Sequence, residues 1–418
     1  MHPELFRRIG HLRNPLLSVA QEQGTPVYAY DAGEVERSYS EFTGAFADAG
    51  EPVKVFLAMK SNPCLPLLKT VVTQGGGLDA SSHRELTLAL QAGAQEILFT
   101  GPAKKERDFT LVLEHADRIT VNLETVRELK LLANMAEKSG RKIRCGLRVI
   151  TQHQDGWTKF GSPLTELRAF YNEARKHKCI DFCGIHFHIS FNTDPQRYVQ
   201  TLQEVATYMR EHFSEEERAG FAYLDIGGGI YPVQTWEGLY PWNEDLKHAE
   251  RPAGTLEKIL RDEYQPRYIP MQIAPIDAFA SAIVQAVHDV VRPVLPNVAL
   301  YTEPGRYLSQ NSLHILLTLT DKKGPSMGIA DGGNNMLGWE KYQHFWYVPV
   351  FNLTHFSTEC EIPFLLYGSL CTPDDVWGYY LYCSDVQEGD IICLPYQGAY
   401  TFTLAQNFIR EVPPVVEL

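Results

Sequence analysis

Short apolar runs alternate with amphipathic stretches from about residue 53 to residue 305, and this alternation constrains the fold of the 418-residue chain more than any other feature. Apolar runs of this length predict buried strands, and the stretches between them predict helices. In Thr125–Lys138, for example, apolar residues recur at helical spacing, and Gly140 follows as a stop signal. The eight candidate strands are Val53–Met59, Leu78–Ser81, Glu96–Phe99, Arg118–Asn122, Ile143–Val149, Phe182–His188, Tyr223–Ile226 and Ala299–Glu303. Eight such units predict an α/β fold built on a (β/α)8 TIM-like barrel.

The sequence pattern changes after Arg306, where strand-like runs separated by turns predict a mainly β domain. A similar run, Thr25–Tyr30, lies near the start of the chain. We therefore predict that residues 1–30 add a strand to the β domain, that 31–305 form the barrel, and that 306–418 form the C-terminal β domain. The aromatic stretch between Ile230 and Ala274 is interpreted as a lid or an interface element.

Composition excludes several classes of protein. The net charge of −13 argues against nucleic acid as the main partner, and no apolar segment reaches the ~20 residues of a membrane span. Eight cysteines are scattered through a chain without a visible secretory signal, so we expect a reduced, cytoplasmic protein. With 44% hydrophobic residues, the chain has the composition of a globular enzyme or binding protein.

Lys60 ends the apolar run Val55–Met59 and is followed at once by Ser61, Asn62 and Pro63. Burying an unpaired ammonium group is costly, so a lysine at the end of a core strand is paired, deprotonated or covalently engaged. An imine to an aldehyde cofactor is one such engagement. A lysine that simply extends its amine out of the strand end is the structural alternative.

Two further strand ends carry chemistry that suits a phosphorylated ring. Gly227–Gly229 follows an apolar strand, and its backbone amides can approach a phosphate closely, although a triple glycine also occurs in plain loops. Glu303, followed by Pro304, Gly305 and Arg306, ends the last candidate strand. A carboxylate beside a pyridine nitrogen and an arginine on phosphate oxygens suit pyridoxal phosphate. A salt bridge at the barrel rim is the alternative.

His186 and His188 alternate along one strand and therefore point the same way. They could ligate zinc in a barrel hydrolase, one of them could stack on a cofactor ring, or both could be core residues. Cys371 lies in a turn-rich stretch where a partly exposed thiol could move a proton, and Tyr400 follows a glycine where its phenol could bind a phosphate. Each of these residues also has a purely structural interpretation.

The order of these motifs resembles one family, the barrel-type, alanine-racemase-like (fold type III) pyridoxal-phosphate decarboxylases, which include diaminopimelate and ornithine decarboxylases. The resemblance covers nearly the whole chain. Its marks are Ala58–Asn62, Asp79 with Ser81 and Glu85, Lys159–Gly161, Gly184–His188, Asp225–Gly229, Glu303–Arg306, Asp331–Gly333, Gly368–Asp375 and Gly398–Tyr400.

The resemblance implies a pyridoxal 5'-phosphate-dependent carboxy-lyase in which Lys60 forms the Schiff base, Glu303 contacts the pyridine nitrogen and His188 stacks on the ring. The other cofactor contacts that it implies are Asp79, Gly228, Gly229, Gly305, Arg306 and Tyr400. It also implies a homodimer with shared active sites, in which the neighbouring subunit supplies Asp375 and Cys371, the latter as a proton donor. The substrate contacts that it implies are Asp331, Thr372 and Asp375.

Three departures from the family pattern concern the substrate. Thr372 follows the cysteine where family members carry an acidic residue that pairs with the substrate's distal amine. The stretch Asn334–Trp339 lacks the arginine with which diaminopimelate decarboxylases bind the distal carboxylate, and Ser190 with Phe191 replaces the usual Gly-Ser after the stacking histidine.

These departures favour a decarboxylase for a larger or modified amino acid, such as a siderophore intermediate or a carrier-tethered aminoacyl group. A meso-diaminopimelate decarboxylase of lysine biosynthesis, a non-catalytic homologue that binds pyridoxal phosphate, and the zinc hydrolase remain as alternatives.

Overall fold

Two structural units make up the chain in a computed structural model, which describes residues 3–154, 158–233, 236–239, 251–263, 267–270, 272–337 and 349–418. The first, here called the β unit, comprises Met1–Val35, Gln234–Gln272 and Ser309–Leu418. The second, the barrel unit, comprises Glu36–Val233 and Ile273–Leu308.

Eight parallel strands form the barrel among the described residues, and each pairs with its neighbours in chain order. In order they are Val53–Ala58, Gly77–Ala80, Ile97–Phe99, Ile119–Leu123, Ile143–Ile150, Ile180–His186, Tyr223–Asp225 and Ala299–Thr302. Pairing of the first strand with the eighth, Val53 opposite Leu300, and of the fourth with the fifth, Val121 opposite Cys145, closes the ring. The predicted barrel is therefore confirmed, with an extra two-residue strand, Ser162–Pro163, beside the fifth.

The helices begin and end where the sequence supplies caps. In Val126–Ser139, the Thr125 side chain accepts the Glu128 N–H at 3.2 Å, and the helix ends at Gly140 in a left-handed conformation with φ +67°. None of the helices in the described parts of the chain has the length and apolar character needed to cross a membrane. The α-helices are Pro3–Gln23, Ala32–Asp48, Leu65–Thr73, His83–Gln91, Glu106–Glu114, Val126–Ser139, Leu167–Ala174, Gln196–His212, Glu215–Ala219, Pro252–Leu260, Ile276–Ala286 and Arg306–Ser309.

Tyr223 fills part of the barrel interior, and two glycines make room for it. A Cβ atom on Gly184 would lie 1.9 Å from Tyr223 Cζ, and one on Gly146 would lie 2.4 Å from its hydroxyl oxygen. The Tyr223 ring stacks on Tyr301 with centroids 4.9 Å apart. Glycine at these two strand positions is thus a packing requirement, since a side chain there would occupy the space of the ring.

The β unit holds an eight-stranded sheet in which the N-terminal strand is paired. Val27–Tyr30 runs antiparallel to Leu313–Lys322, with Tyr28 opposite Ile315. The N-terminal segment thus adds a strand to the β domain, as the sequence predicted. Across the sheet the strands are Met327–Ala330, Phe356–Tyr367, Val376–Cys383, Phe351–Asn352, Ile391–Leu394, Leu313–Lys322, Val27–Tyr30 and Val415–Glu417.

The sequence analysis missed the helix Pro3–Gln23, which precedes the N-terminal strand. Ile9 and Leu16 of this helix are buried in a cluster with Leu316 and Phe351 of the sheet. The helix is also held by Arg13, whose Nε donates to the Leu353 carbonyl at 2.7 Å. Its apolar face therefore belongs to the core of the β unit.

The segment Gln234–Gln272 groups with the β unit, whereas the sequence analysis included it in a barrel spanning 31–305. The reason is the helix Pro252–Leu260, whose Leu256 and Ile259 pack in a cluster with Leu365 of the sheet. Parts of the stretch interpreted as a lid or an interface lie outside the described residues, so that interpretation stays a prediction, as do the exact boundaries of the three regions.

Replacing Gly184 with alanine should lower the free energy of unfolding by more than about 3 kcal/mol, because the added methyl group collides with the Tyr223 ring. Gly44→Ala is the control: Gly44 lies in the helix Ala32–Asp48 with open space around its Cβ position, so alanine should stabilise by roughly 0.5–1 kcal/mol. Urea denaturation of both variants measures the difference. Equal midpoints would contradict the packing role of Gly184.

Candidate active site

Lys60 lies in a short helical turn, Met59–Ser61, directly after the first barrel strand. The turn is held by the Ser61 hydroxyl, which donates to the Ala58 carbonyl at 2.8 Å, and by Asn62, whose Oδ1 accepts the Cys64 N–H at 2.9 Å. Lys60 is half-buried. The position at the carboxyl end of a strand is the one that the sequence predicted, and in a β/α barrel this end carries the chemistry.

Glu303 follows the eighth strand, and its side chain is only 2% exposed. Its Oε2 lies 3.4 Å from His186 Nε2 and 3.9 Å from His188 Nδ1. Burial opposes its ionisation, but the neighbouring His186, His188 and Lys60 hold the pKa of Glu303 below its ordinary value. Burial lowers the pKa of both histidines, whereas the charge of Glu303 raises it.

A chain of hydrogen bonds inside the barrel leads to Glu303. The Tyr223 hydroxyl donates to Asn122 Oδ1 at 2.8 Å, and Asn122 Nδ2 donates to Thr100 Oγ1 at 3.3 Å and to Asp225 Oδ2 at 3.5 Å. Thr100 in turn donates to Glu303 Oε1 at 3.4 Å. The sequence analysis missed Thr100 and Asn122. Their only signal was a polar residue within or just after an apolar strand.

Two further carboxyl groups, Asp79 and Asp225, are fully buried near Glu303. Burial raises the pKa of each well above its ordinary value, and the charge of Glu303 raises it further. Three carboxylates cannot all ionise in one dry interior. Burial and mutual repulsion therefore favour the negative charge on Glu303 over Asp79 and Asp225.

The triple glycine forms a bend that packs tightly against the end of the eighth strand. Gly227 and Gly229 have φ of +69° and +101°, and a Cβ on Gly228 would lie 2.0 Å from the Glu303 carbonyl oxygen. The Gly228 N–H donates to His188 Nδ1 at 3.1 Å, which leaves the proton of the neutral imidazole on Nε2. Gly227 and Gly228 are buried and Gly229 is partly buried, and backbone amides of residues without side chains can approach a phosphate group closely.

Gly305 and Arg306 extend the same rim of the barrel. A Cβ on Gly305 would lie 3.0 Å from Ser61 Cβ, so glycine allows this segment to pack against the turn that carries Lys60. The Arg306 guanidinium lies 5.1 Å from the centre of the Tyr231 ring. The barrel unit thus brings together six predicted cofactor contacts besides Lys60: Asp79, His188, Gly228, Gly229, Glu303 and Gly305, with Arg306 adjacent.

A buried ion network, which the sequence analysis did not find, lies beside the fourth and fifth strands. Arg148 lies 3.7 Å from Glu124 and 4.7 Å above the Phe160 ring, and Glu124 Oε2 accepts the Gly161 N–H at 3.0 Å. Phe160 and Gly161 belong to a motif that the sequence analysis noted without a role. In the structure this motif has a structural role, because its residues support the buried Arg148–Glu124 pair.

The zinc interpretation paired His186 with His188. Within the described residues, a group of side chains with metal-ligand chemistry consists instead of His186, Asp225 and Glu303, whose polar atoms lie within 4.8 Å of one another. His188 is not a member of that group, so the structure does not bring the two histidines together as one set of ligands.

The remaining predicted residues lie in the β unit. Cys371 is exposed, and Thr372 is partly buried. Asp375 is buried, and its two oxygens accept the N–H groups of Asn334 at 2.7 Å and Leu370 at 2.6 Å. Burial raises the pKa of Asp375 to about 6. In its own chain, Asp375 therefore organises the loop that presents Cys371.

Asp331 is likewise engaged within the β unit. Its carboxylate accepts the Thr318 N–H at 2.9 Å and the Thr25 hydroxyl at 2.5 Å. Tyr400 is partly buried and has φ +56°, an uncommon conformation for a tyrosine. Trp339 and residue 338 of the stretch that lacks an arginine lie outside the described residues.

Comparison with known proteins gives consistent matches. The family model described as pyridoxal-dependent decarboxylase, pyridoxal binding domain, matches residues 32–310. Diaminopimelate decarboxylase of Aquifex aeolicus is 27% identical over 94% of this chain and 86% of its own. The L-glutamyl-[BtrI acyl-carrier protein] decarboxylase of Niallia circulans is 25% identical over 94% and 88%. The structure of diaminopimelate decarboxylase from M. jannaschii with L-lysine superimposes with a TM-score of 0.79 at 21% identity, covering 96% of this chain and 89% of that one.

Proposed function

The chain belongs to the pyridoxal-dependent decarboxylase family, and from this premise we propose that it decarboxylates a modified or larger amino acid in a specialised pathway of the siderophore or antibiotic type. Membership rests on a match across residues 32–310, and it makes the protein a pyridoxal-phosphate-dependent carboxy-lyase. The observation that carries the substrate proposal is Thr372, which takes the place of an acidic side chain.

The barrel residues suit pyridoxal phosphate on their own chemistry. Among the described residues, Asp79 Oδ1 is a buried oxygen without a hydrogen-bond partner, and the bend at Gly228 has no room for a Cβ. In our proposal Lys60 holds the aldehyde carbon, Glu303 contacts the ring nitrogen, and His188 stacks on the ring. The phosphate contacts in this proposal are Gly228, Gly229, Gly305, Arg306 and Tyr400.

When bound, pyridoxal phosphate supplies a conjugated pyridinium ring that takes up the electron pair left on the α-carbon as the carboxylate departs. Glu303 keeps the ring nitrogen protonated, because its charge lies in a dry interior where electrostatic interactions are strong. Lys60 provides the amine that exchanges with the amine of the substrate.

We propose that the active site is completed across a homodimer interface. The exposed thiol of Cys371 would deliver a proton to the α-carbon of a substrate held in the neighbouring barrel. The engagement of Asp375 with the backbone of its own loop supports this arrangement, because it fixes the segment next to the thiol. A cytoplasmic location fits the eight cysteines, all of which are free thiols.

Thr372 and the missing arginine affect the contacts that the protein can make with the distal end of the substrate. A carboxylate beside the cysteine would pair with a free amine, and an arginine would grip a free carboxylate. Each charge-assisted bond of this kind is worth roughly 1.5–3 kcal/mol. A substrate whose distal groups are masked, by conjugation or attachment to a carrier protein, has less need of these two charged contacts. The relative from Niallia circulans is named for a glutamyl group on an acyl-carrier protein.

A meso-diaminopimelate decarboxylase is the second candidate. Curated relatives from Aquifex aeolicus and Methanothermobacter thermautotrophicus bear that name, at 27% and 25% identity. In this candidate the distal contacts would come from residues other than the usual acidic residue and arginine.

Release of carbon dioxide from a panel of substrates separates the two candidates. The panel contains meso-diaminopimelate, free D- and L-diamino acids, citryl-diamino acid conjugates and a carrier-bound glutamyl group. We expect kcat/KM for a conjugated or carrier-bound substrate to exceed that for meso-diaminopimelate by at least about a hundredfold, because two lost charged contacts together are worth roughly 3–6 kcal/mol. Efficient turnover of free meso-diaminopimelate would establish the second candidate instead.

Thr372→Asp sharpens this test, because it restores a charge beside the cysteine. The variant should raise kcat/KM for free diamino acids roughly tenfold. Thr358→Asp, at an exposed position in the strand Phe356–Tyr367, is the matched charge control and should leave the value unchanged.

Mixing two inactive variants tests the shared active site. Lys60→Ala and Cys371→Ala place their lesions in different halves of the proposed site, so a mixed dimer keeps one intact site. When equal amounts of the two variants exchange subunits at random, half of the dimers are mixed and each mixed dimer has one intact site of two. The mixture should therefore recover about one quarter of the wild-type activity. Mixing Lys60→Ala with Lys60→Arg, which damage the same half, should restore none. No recovery in the first mixture would place the whole site in one chain.

A further inference from the structure

The helix Gln196–His212 contacts the triple glycine through a hydrogen bond to its backbone. Tyr198 of this helix is fully buried, and its hydroxyl donates to the Gly228 carbonyl at 2.6 Å. Asn192 is also buried, and its Nδ2 donates to the Tyr198 hydroxyl at 3.2 Å, to the Ile189 carbonyl at 2.7 Å and to the Gly229 carbonyl at 3.4 Å. Two side chains thus hold the carbonyl groups of two successive glycines.

This contact fixes the direction of a backbone donor. In a trans peptide the carbonyl oxygen and the following N–H point to opposite sides. Since the Gly228 carbonyl faces Tyr198, the Gly229 N–H faces away from the helix. Nowhere in the described parts of the chain does that N–H find a hydrogen-bond acceptor. Gly229 has φ +101° and no side chain, so its own sequence does little to hold this orientation.

We propose that Tyr198, backed by Asn192, is a positioning residue for the phosphate of pyridoxal phosphate: its hydroxyl turns the Gly228–Gly229 peptide so that the Gly229 N–H donates to a phosphate oxygen. The inference rests on the proposed assignment of Gly228 and Gly229 to the phosphate. It adds to that assignment the side chain that orients the donor.

The neighbouring segment explains why such support matters in this chain. Ser190 and Phe191 stand where the family resemblance places Gly-Ser, so the second of these positions has no hydroxyl group. Phe191 is 65% exposed and has φ +59°, a conformation that is rare for a bulky residue. Arg197, next to Tyr198 on the helix, donates to the Ser190 carbonyl at 3.2 Å. The start of this helix therefore fixes both the replaced segment and the glycines.

The hydroxyl of Tyr198 is a constant donor. Burial raises the pKa of Tyr198 above the ordinary value of a phenol, so the hydroxyl keeps its proton at neutral pH. Asn192, which donates to the same oxygen, leaves the phenolic proton for the Gly228 carbonyl.

The test compares two cofactor forms in the apoenzyme. Tyr198→Phe removes only the hydroxyl. We expect the Kd for pyridoxal phosphate to rise about tenfold and the Kd for pyridoxal, which lacks the phosphate, to stay the same. Absorbance and fluorescence titrations measure both constants without any turnover. Tyr208→Phe, on the same helix with its hydroxyl donating to the Thr165 carbonyl at 3.0 Å, is the matched control and should change neither Kd.

The outcomes are distinguishable. An unchanged Kd for pyridoxal phosphate in Tyr198→Phe, or an equal loss for both compounds, would overturn the inference, since the hydroxyl would then serve the fold and not the phosphate. If Tyr198→Phe does not fold, Asn192→Ser, which removes the donor to the Tyr198 hydroxyl, carries the same expectation with a smaller loss. Failure of the wild-type apoenzyme to bind pyridoxal phosphate would instead refute the proposed cofactor site.

Discussion

The charge on Glu303 is the interaction on which the rest of this site depends. A carboxylate in a closed barrel survives only where neighbours compensate for its burial. Here His186 Nε2 lies 3.4 Å from one oxygen, Thr100 donates to the other at 3.4 Å, and burial raises the pKa of the nearby Asp79 and Asp225. These groups come from several strands, so the charge is stabilised only when the barrel is closed.

The residues that sequence analysis predicted for the barrel share one property, which is a position at the end of an apolar strand. Lys60 and Glu303 could be found because the strand pattern itself marks that position. Thr100, Asn122 and Tyr198 could not, since their roles arise from hydrogen bonds between residues distant in the sequence, and a lone polar residue in or after a strand does not reveal its partner. The helix Pro3–Gln23 was missed for a related reason, because its apolar face is explained only by the sheet that it covers.

The two units carry different parts of the proposed function. In the proposed function, barrel residues hold the cofactor at its aldehyde carbon and ring nitrogen, whereas the loop around Cys371 in the β unit bears on the substrate. In that loop Asp375 is buried and bonded to backbone amides, while Thr372 and Cys371 are more accessible. Substitution of a buried residue that holds the loop would destabilise the loop, whereas substitution of an accessible residue would not. Specialisation for a new substrate at Thr372 fits this division.

The protonation of the cofactor's ring nitrogen tests the central claim most directly. Nitrogen-15 NMR of the enzyme loaded with labelled pyridoxal phosphate reports whether that nitrogen carries a proton. If Glu303 is a compensated carboxylate, the nitrogen is protonated in the wild type from about pH 6 to about pH 9 and loses its proton in Glu303→Gln. An unprotonated nitrogen in the wild type, or the same protonation in Glu303→Gln, would contradict the account.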